Sequence, residues 1–194
     1  AFFPRYPRTL QRGGHGNVEM LVQEREAYIA RCAGQRTYPW RSFIVGANDG
    51  AIASSDMVYR LASPCQMSDV SWIKPGHAAW DWWNNSALYG VPFKAGFNND
   101  TYRFFIDFAQ RFGLEYVLID EGWFSTQSTN IYDLAPDINL KALVQYANER
   151  GVSIILWAGY LSLARDLENA ISHYSAMGIK GFKIDFLNRD DQPM

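Results

Sequence analysis

The sequence predicts an α/β protein: the first four βα units of a TIM-type (β/α)8 barrel, preceded by the end of a β-sandwich domain. Three observations carry this prediction. After Ser71, helices with apolar residues three and four apart alternate with short apolar strands, the pattern of a parallel sheet with crossover helices. Acidic and aromatic residues gather at the C-terminal ends of those strands, the end that carries the active site in such barrels. Before Ser71, short alternating segments are separated by turn residues, which reads as part of a sandwich. The boundary is placed accordingly. Residues 1–70 form the C-terminal part of an N-terminal sandwich with its linker, and residues 71–194 form the first half of the barrel. A complete barrel takes about 250 residues, so the four units are read as a truncated one.

Taken in order, residues 1–17 are rich in Pro, Arg and Gly and read as extended or loose. Val18, Met20 and Val22 alternate with polar neighbours at strand period; Arg41 to Val45 and Met57 to Leu61 read as further short strands. Gly34-Gln35, Asn48-Asp49-Gly50 and Ser54-Ser55 supply turn chemistry. The first barrel strand runs into Trp80-Asp81-Trp82-Trp83. A helix follows the capping pair Asn99-Asp100, with Tyr102, Phe105, Ile106, Ala109 and Phe112 on one face and Gly113 behind it. Glu115 to Asp120 is a buried strand ending in acid, and a long polar loop spans 124–136. The second helix is capped by Asp137, uses Leu140, Leu143, Val144 and Ala147, and stops at Gly151. The strand Val152 to Trp157 leads to a third helix using Leu163, Leu167, Ala170, Ile171 and Tyr174, which stops before Gly178. The last strand is Gly181 to Phe186. The near-continuous apolar strands fit a sheet covered on both faces. A doubly wound sheet shows the same alternation, but no glycine-rich phosphate loop follows any strand.

Composition narrows the function. A formal net charge of -2 and the absence of a basic run give no footing for nucleic acid. No apolar run approaches the roughly 18 residues of a membrane span. The chain opens on Ala-Phe-Phe-Pro without Met, which reads as an internal segment or a processed chain. Cys32 and Cys65 match no zinc spacing and read as packing residues. Seven Trp residues make either a Trp-rich core or flat platforms for a ligand such as a sugar ring.

The chemistry centres on Asp185. A carboxylate at the end of an apolar strand is costly to bury without a partner. Lys183, two residues earlier, shares its face of the strand. Its ammonium would hold Asp185 ionised and would itself bond a substrate hydroxyl; the alternative is a structural ion pair at the barrel mouth. Asp120 and Glu121 are adjacent carboxylates that need donors, and sugar hydroxyls qualify, with Trp123 offering a ring face; the alternative is loop capping. Asp81, between Trp80 and Trp82, repeats the mixture of acid and aromatic, although a core Trp cluster explains it too. His15, His77 and His173 are scattered. His77 reaches a ligand only if its segment folds over the mouth, and His173 reads as solvent-facing on a helix. No His pair has metal-ligand spacing, so no metal site is assigned within the chain. No Gly-x-Ser-x-Gly elbow is present.

Together these stretches resemble glycoside hydrolase family 97. They are Leu61-Ala62-Ser63-Pro64, Ser71-Trp72-Ile73-Lys74-Pro75-Gly76 and Ala79-Trp80-Asp81-Trp82-Trp83-Asn84. They continue with Tyr116 to Trp123 and Gly181 to Phe186. The resemblance covers roughly residues 20 to 188. It implies an N-terminal β-sandwich, a catalytic barrel, a C-terminal β-domain and exo-action on a terminal α-linked hexose of an oligosaccharide. It also implies a calcium ion, with ligands mostly outside this segment, and a periplasmic or secreted bacterial setting. The family has a retaining branch with an aspartate nucleophile at the end of strand four and an inverting branch without it. Asp185 occupies that position, which resembles the retaining, α-galactosidase branch. By the same resemblance Lys183, Asp120, Glu121 and Asp81 contact the sugar, and Trp82, Trp123 and Trp157 line its pocket. The general acid then lies beyond this segment. Two other readings stay open: an α-glucosidase of the same family, and a non-catalytic sugar-binding segment.

Overall fold

The structure is a computed structural model that describes residues 5–14, 18–37 and 40–187. His15, part of the loose N-terminal segment, and Asp190 to Met194 lie outside the described residues. Two compact units emerge: Ala1–Ile29 with Gly76–Met194, and Ala30–Pro75.

The larger unit is α/β. Strands β3 (Ala78–Trp80), β4 (Tyr116–Ile119), β5 (Ser153–Gly159) and β6 (Gly181–Asp185) form a parallel sheet in sequence order. The register aligns Trp80 with Leu118, Ile119 with Leu156, Trp157 with Lys183 and Gly159 with Asp185. Helices α3 (Asn99–Phe112), α4 (Leu140–Asn148), α5 (Tyr160–Ala164) and α6 (Leu167–Met177) make the connections. Period-two alternation puts Val117, Ile119, Ile154 and Leu156 on the face that joins Ile106, Leu143, Val144, Ala170 and Tyr174 in the buried core. The opposite face carries Leu118, Ile155, Gly181, Lys183 and Asp185, all half-buried, together with Trp157 and Gly159, which are buried at the end of β5.

The helices begin one or two residues away from where the capping signals point. Asn98, not Asn99, caps α3 by accepting from the Thr101 N–H at 2.9 Å. Asn139, not Asp137, caps α4 by accepting from Ala142 N–H. The two residues expected as caps instead tie the helix starts together. Asn99 N–H donates to the Asp137 carbonyl, and Asn139 N–H donates to the Asn99 side chain. Gly113 closes α3 with φ 68, as its position predicts, but Phe112 is exposed rather than on the buried face. The third helix is broken in two at Arg165-Asp166, leaving Leu167 and Ile171 exposed. The loop after β4 is not simply polar: Phe124 pairs with Leu134 in an antiparallel bridge, and Phe124 and Ile131 are buried.

An antiparallel hairpin, β1 (Pro7–Gly13) and β2 (Glu19–Arg25), belongs to this unit; the expected strand is present from Glu19, although burial along it does not alternate. It docks at the C-terminal end of β5. The Leu161 N–H donates to the Val18 carbonyl at 3.2 Å, and Val18 is fully buried. Gly159 permits that approach, because a Cβ there would lie 2.5 Å from the Val18 Cβ.

Within Ala30–Pro75 the expected strands are absent. Arg41 to Val45 has no regular structure, and Met57–Leu61 is a helix (α2), following α1 (Asp49–Ala53). Asn48 caps α1 through its side chain, so the turn chemistry read at Asn48-Asp49-Gly50 starts a helix instead. No residue described in this unit is buried; Trp40, Phe43 and Val45 are more than 80% exposed, which leaves alternation nothing to pack against. Cys32 and Cys65 are exposed thiols, not the packing residues expected. No helix among the described residues is long and apolar enough to cross a membrane.

The hairpin contact yields a prediction. Gly159→Ala forces a methyl against Val18 and is expected to cost about 1–3 kcal/mol by overpacking, read as a lower urea midpoint in the full-length protein. An unchanged midpoint refutes the docking of the hairpin on β5.

Candidate active site

The four strand ends bring one connected set of side chains together. β3 ends at Trp80, and its indole Nε1 donates to Asp120 Oδ2 at 2.6 Å. Asp120 follows β4 directly and is 4% exposed. Lys183, on β6, reaches past β5: its Nζ donates to Asp120 Oδ2 at 2.9 Å and sits 3.3 Å from Asp185 Oδ2. The same ammonium lies 4.5 Å from the centre of the Trp80 ring, a cation–π distance. Trp157, in register with Lys183, donates its Nε1 to Asp185 Oδ2 at 3.1 Å. The shared face read from Lys-x-Asp spacing is what places the two side chains together.

Asp185 keeps 40% of its side chain exposed while making these bonds. Its other oxygen accepts from the Phe186 N–H at 2.8 Å. Phe186 adopts a left-handed φ of 57, a conformation costing a non-glycine residue on the order of 1–3 kcal/mol. Burial pushes the Asp185 carboxyl up, but the Phe186 N–H, the Trp157 indole and Lys183 together outweigh it and hold the group below the usual carboxylate range. The result is an ionised carboxylate that keeps contact with solvent.

The remaining residues singled out from the sequence divide by burial. Asp81 is 1% exposed, and its oxygens accept from Asp120 N–H, Ser86 Oγ and Tyr102 Oη at 3.0–3.1 Å. Burial pushes its carboxyl up, opposed by those same bonds. Trp123 is fully buried, donates to the Trp157 carbonyl, and packs on Phe124 and Tyr174. Both positions differ from the sugar contact expected of them. Asp81 holds the Asp120 backbone, and Trp123 holds the Trp157 carbonyl. The sharp turn that buries Trp123 needs Gly122, at φ 122 with Phe97 where a Cβ would stand. Trp157 is 1% exposed and meets the site through its indole N–H alone. Glu121 is half-buried beside Asp120, whose Oδ1 accepts the Glu121 N–H. Trp82 is 57% exposed and stacked on Trp80 at 5.3 Å in the 3-10 turn Asp81–Asn84. His77 is at the other end of the sheet, where its backbone N–H donates to Glu115, and His173 is exposed on α6. Trp80 is the member that sequence reasoning passed over; its position at the end of β3, one residue before Asp81, was the available signal. Among the described residues no group of three or more His, Cys, Asp or Glu side chains is placed to hold a metal ion.

Comparison with known proteins places the chain in a family. The family profile Glycoside hydrolase 97 matches residues 80–194, more than half of the chain. The chain belongs to glycoside hydrolase family 97. It is 49% identical over 189 residues to the retaining α-galactosidase of Bacteroides thetaiotaomicron, covering 97% of this chain and 28% of that protein. A probable retaining α-galactosidase of Streptomyces bingchenggensis is 33% identical, over 82% of this chain and 25% of its own length. Among solved structures, a family 97 enzyme of Pseudoalteromonas sp. strain K8 in complex with acarbose aligns over 71% of this chain and 23% of its own. The TM-score is 0.58 at 23% identity. A β-arabinopyranosidase aligns over 73% of this chain and 22% of its own, at TM-score 0.54 and 26% identity. The chain thus spans about a quarter of the length of the curated family 97 relatives it matches.

Lys183 is the test of this geometry. In full-length protein, Lys183→Met leaves Asp120 and Asp185 without their shared cation. Stability is expected to fall by about 1.5–3 kcal/mol, the range for a charged hydrogen bond, by chemical denaturation. The Asp185 carboxyl is expected to titrate higher when the cation goes, as read by carboxyl NMR. An unshifted Asp185 titration shows that Lys183 does not act on Asp185.

Proposed function

We propose that the full-length protein is a retaining α-galactosidase that removes terminal α-linked galactose from oligosaccharides, with Asp185 as nucleophile. In this reading residues 71–194 supply the first half of a (β/α)8 barrel, and the strand ends described above form its mouth. The observation that carries the proposal is the state of Asp185: ionised by its neighbours, half-exposed, and last on its strand. A relative 49% identical and named as a retaining α-galactosidase supports it.

The chemistry follows from those bonds. An Asp185 oxygen attacks the anomeric carbon from the β face as the bond to the α-linked leaving oxygen breaks, giving a covalent glycosyl-enzyme. An acid protonates the departing oxygen and then, as base, takes a proton from the water that releases the sugar. Asp120 is not placed for that part, being buried with both oxygens already accepting. The acid, and any calcium ligands, come in this reading from the remainder of the protein. Lys183, Glu121 and Trp82 are the residues proposed to meet the sugar. Asp120, Asp81, Trp123 and Trp157 position Lys183, Asp185 and the turn that carries Glu121.

The galactoside assignment competes with a glucoside within the same family, and relative rates of the full-length protein on aryl α-galactoside and α-glucoside decide between them. An aryl β-L-arabinopyranoside belongs in the same panel, because it has the ring configuration of an α-galactoside without C6 and a β-arabinopyranosidase is among the similar structures. Asp185→Asn is expected to lower kcat by about 10⁴-fold or more, and added azide to restore turnover as the β-galactosyl azide. Unimpaired hydrolysis by that variant sinks the assignment, and a non-catalytic sugar-binding role requires that wild-type protein show no turnover at all.

A further inference from the structure

The described residues form a second concave site that shares no residue with the acid network. A cleft of about 290 Å³ opens between the loop after β4 and helix α5, with Asn130, Tyr132, Ser162, Arg165 and Asp166 in its wall. We propose that this cleft is a second saccharide site, which holds one neutral hexose unit apart from Asp185.

The side chains are of the kind that reads a sugar. Tyr132 is 37% exposed and held from two sides. It stacks on Tyr174 at 6.1 Å and 10°, and meets the His173 ring edge-on at 5.3 Å. Its hydroxyl donates to Asp166 Oδ2 at 2.9 Å. A ring fixed in this way offers apolar surface to the C–H face of a pyranose at little entropic cost. Around it stand three planar polar groups: the Asp166 carboxylate, the Arg165 guanidinium and the Asn130 amide. Such groups present donors and acceptors in fixed pairs, which match the adjacent hydroxyls of a sugar.

Those groups are already oriented. Arg165 Nη1 donates to the Ser128 carbonyl and to Thr129 Oγ1. Asp166 Oδ1 accepts from Asn169 at 2.7 Å. Asn130 Oδ1 accepts from the Tyr132 N–H at 3.2 Å. The wall itself carries one cation, Arg165, and one carboxylate, Asp166, and a second guanidinium, Arg12, donates to the lining Thr129 Oγ1 at 3.4 Å. The Ser162 hydroxyl is buried in this wall and has no hydrogen-bond partner among the described residues, which is uncommon in native structures. Both walls are connections that leave the C-terminal ends of β4 and β5, the ends at which Asp120 and Asp185 stand. A longer oligosaccharide gripped here stays on the side of the mouth.

The choice of a sugar as ligand rests on the proposed function; the existence of the site does not. Hydrogen-exchange mass spectrometry on full-length protein, with and without galactose, separates the two. At galactose about ninefold above its Kd, exchange through local opening slows about tenfold. Peptides spanning 128–132 and 162–166 are expected to show that protection, as well as the peptide spanning 181–187. Tyr132→Ala should erase it from the first two and keep it at 181–187, while Tyr132→Phe, which retains the ring, should preserve it in all three. If Tyr132→Ala does not fold, as read by circular dichroism, Asn130→Ala replaces it with the same expected loss. Wild-type protection confined to 181–187, or cleft protection that survives in both Tyr132→Ala and Asn130→Ala, overturns the second site. Protection in the cleft alone keeps the second site and counts against Asp185 as the sugar contact.

Discussion

The arrangement depends on one ammonium shared by two carboxylates. Lys183 stands 2.9 Å from Asp120 and 3.3 Å from Asp185, two acids from different strands. Without a cation between them, two negative groups at this separation repel, and the buried one carries a large desolvation penalty. With it, the buried acid is compensated and the outer one stays charged. Lys183 thus joins the ends of β4 and β6 across β5, and the strand order alone makes this possible. Side chains from the ends of neighbouring parallel strands converge without any loop having to position them.

A lysine held this way needs a rigid frame, and the layers beneath supply it. Asp81 accepts three hydrogen bonds in the interior, one from the Asp120 backbone, so the end of β3 fixes the start of the turn after β4. Trp80 fixes the same acid from the side and offers its ring to the ammonium. Trp123 locks to the Trp157 carbonyl, and Trp157 in turn holds Asp185. The Trp residues of this region divide between core and surface. Trp123 and Trp157 are core residues whose indole N–H groups reach toward the site, and Trp82 and Trp83 stay exposed.

Much of this was legible in the sequence, and the failures have physical causes. Period-two and helical apolar patterns located the four parallel strands and the helices between them because burial enforces that periodicity directly. Lys183 and Asp185 were found together because a spacing of two on a strand fixes a common face. The cap positions were missed by one or two residues because Asn98, Asn99, Asp137 and Asn139 are all competent caps, and only the tertiary tie between the two helix starts selects among them. The strands expected at Arg41 to Val45 and Met57 to Leu61 failed because alternation reports a strand only where one face is buried, and nothing there is. Asp81 and Trp123 were read as sugar contacts because composition marks a functional neighbourhood without marking depth. Whether an acid faces ligand or core depends on donors such as Tyr102 and Ser86, 21 and 5 residues away.

Under the proposed function, depth also explains why Asp185 rather than Asp120 is assigned nucleophilic attack. Asp120 and Asp185 share a cation and each accepts from an indole N–H, so their hydrogen-bond partners are nearly the same. The side chain of Asp120 is 5% exposed, and that of Asp185 is 40% exposed. A nucleophile must stay ionised and still present an oxygen to an incoming carbon. Burial would remove the second property, and full solvation would remove the ordered donors that secure the first. Asp185 sits between those limits because it is the last residue of its strand and Phe186 turns the backbone away through a left-handed φ. The strained residue beyond the strand end is then part of the site's construction. It exposes the carboxylate at the rim while returning one more N–H to stabilise its charge.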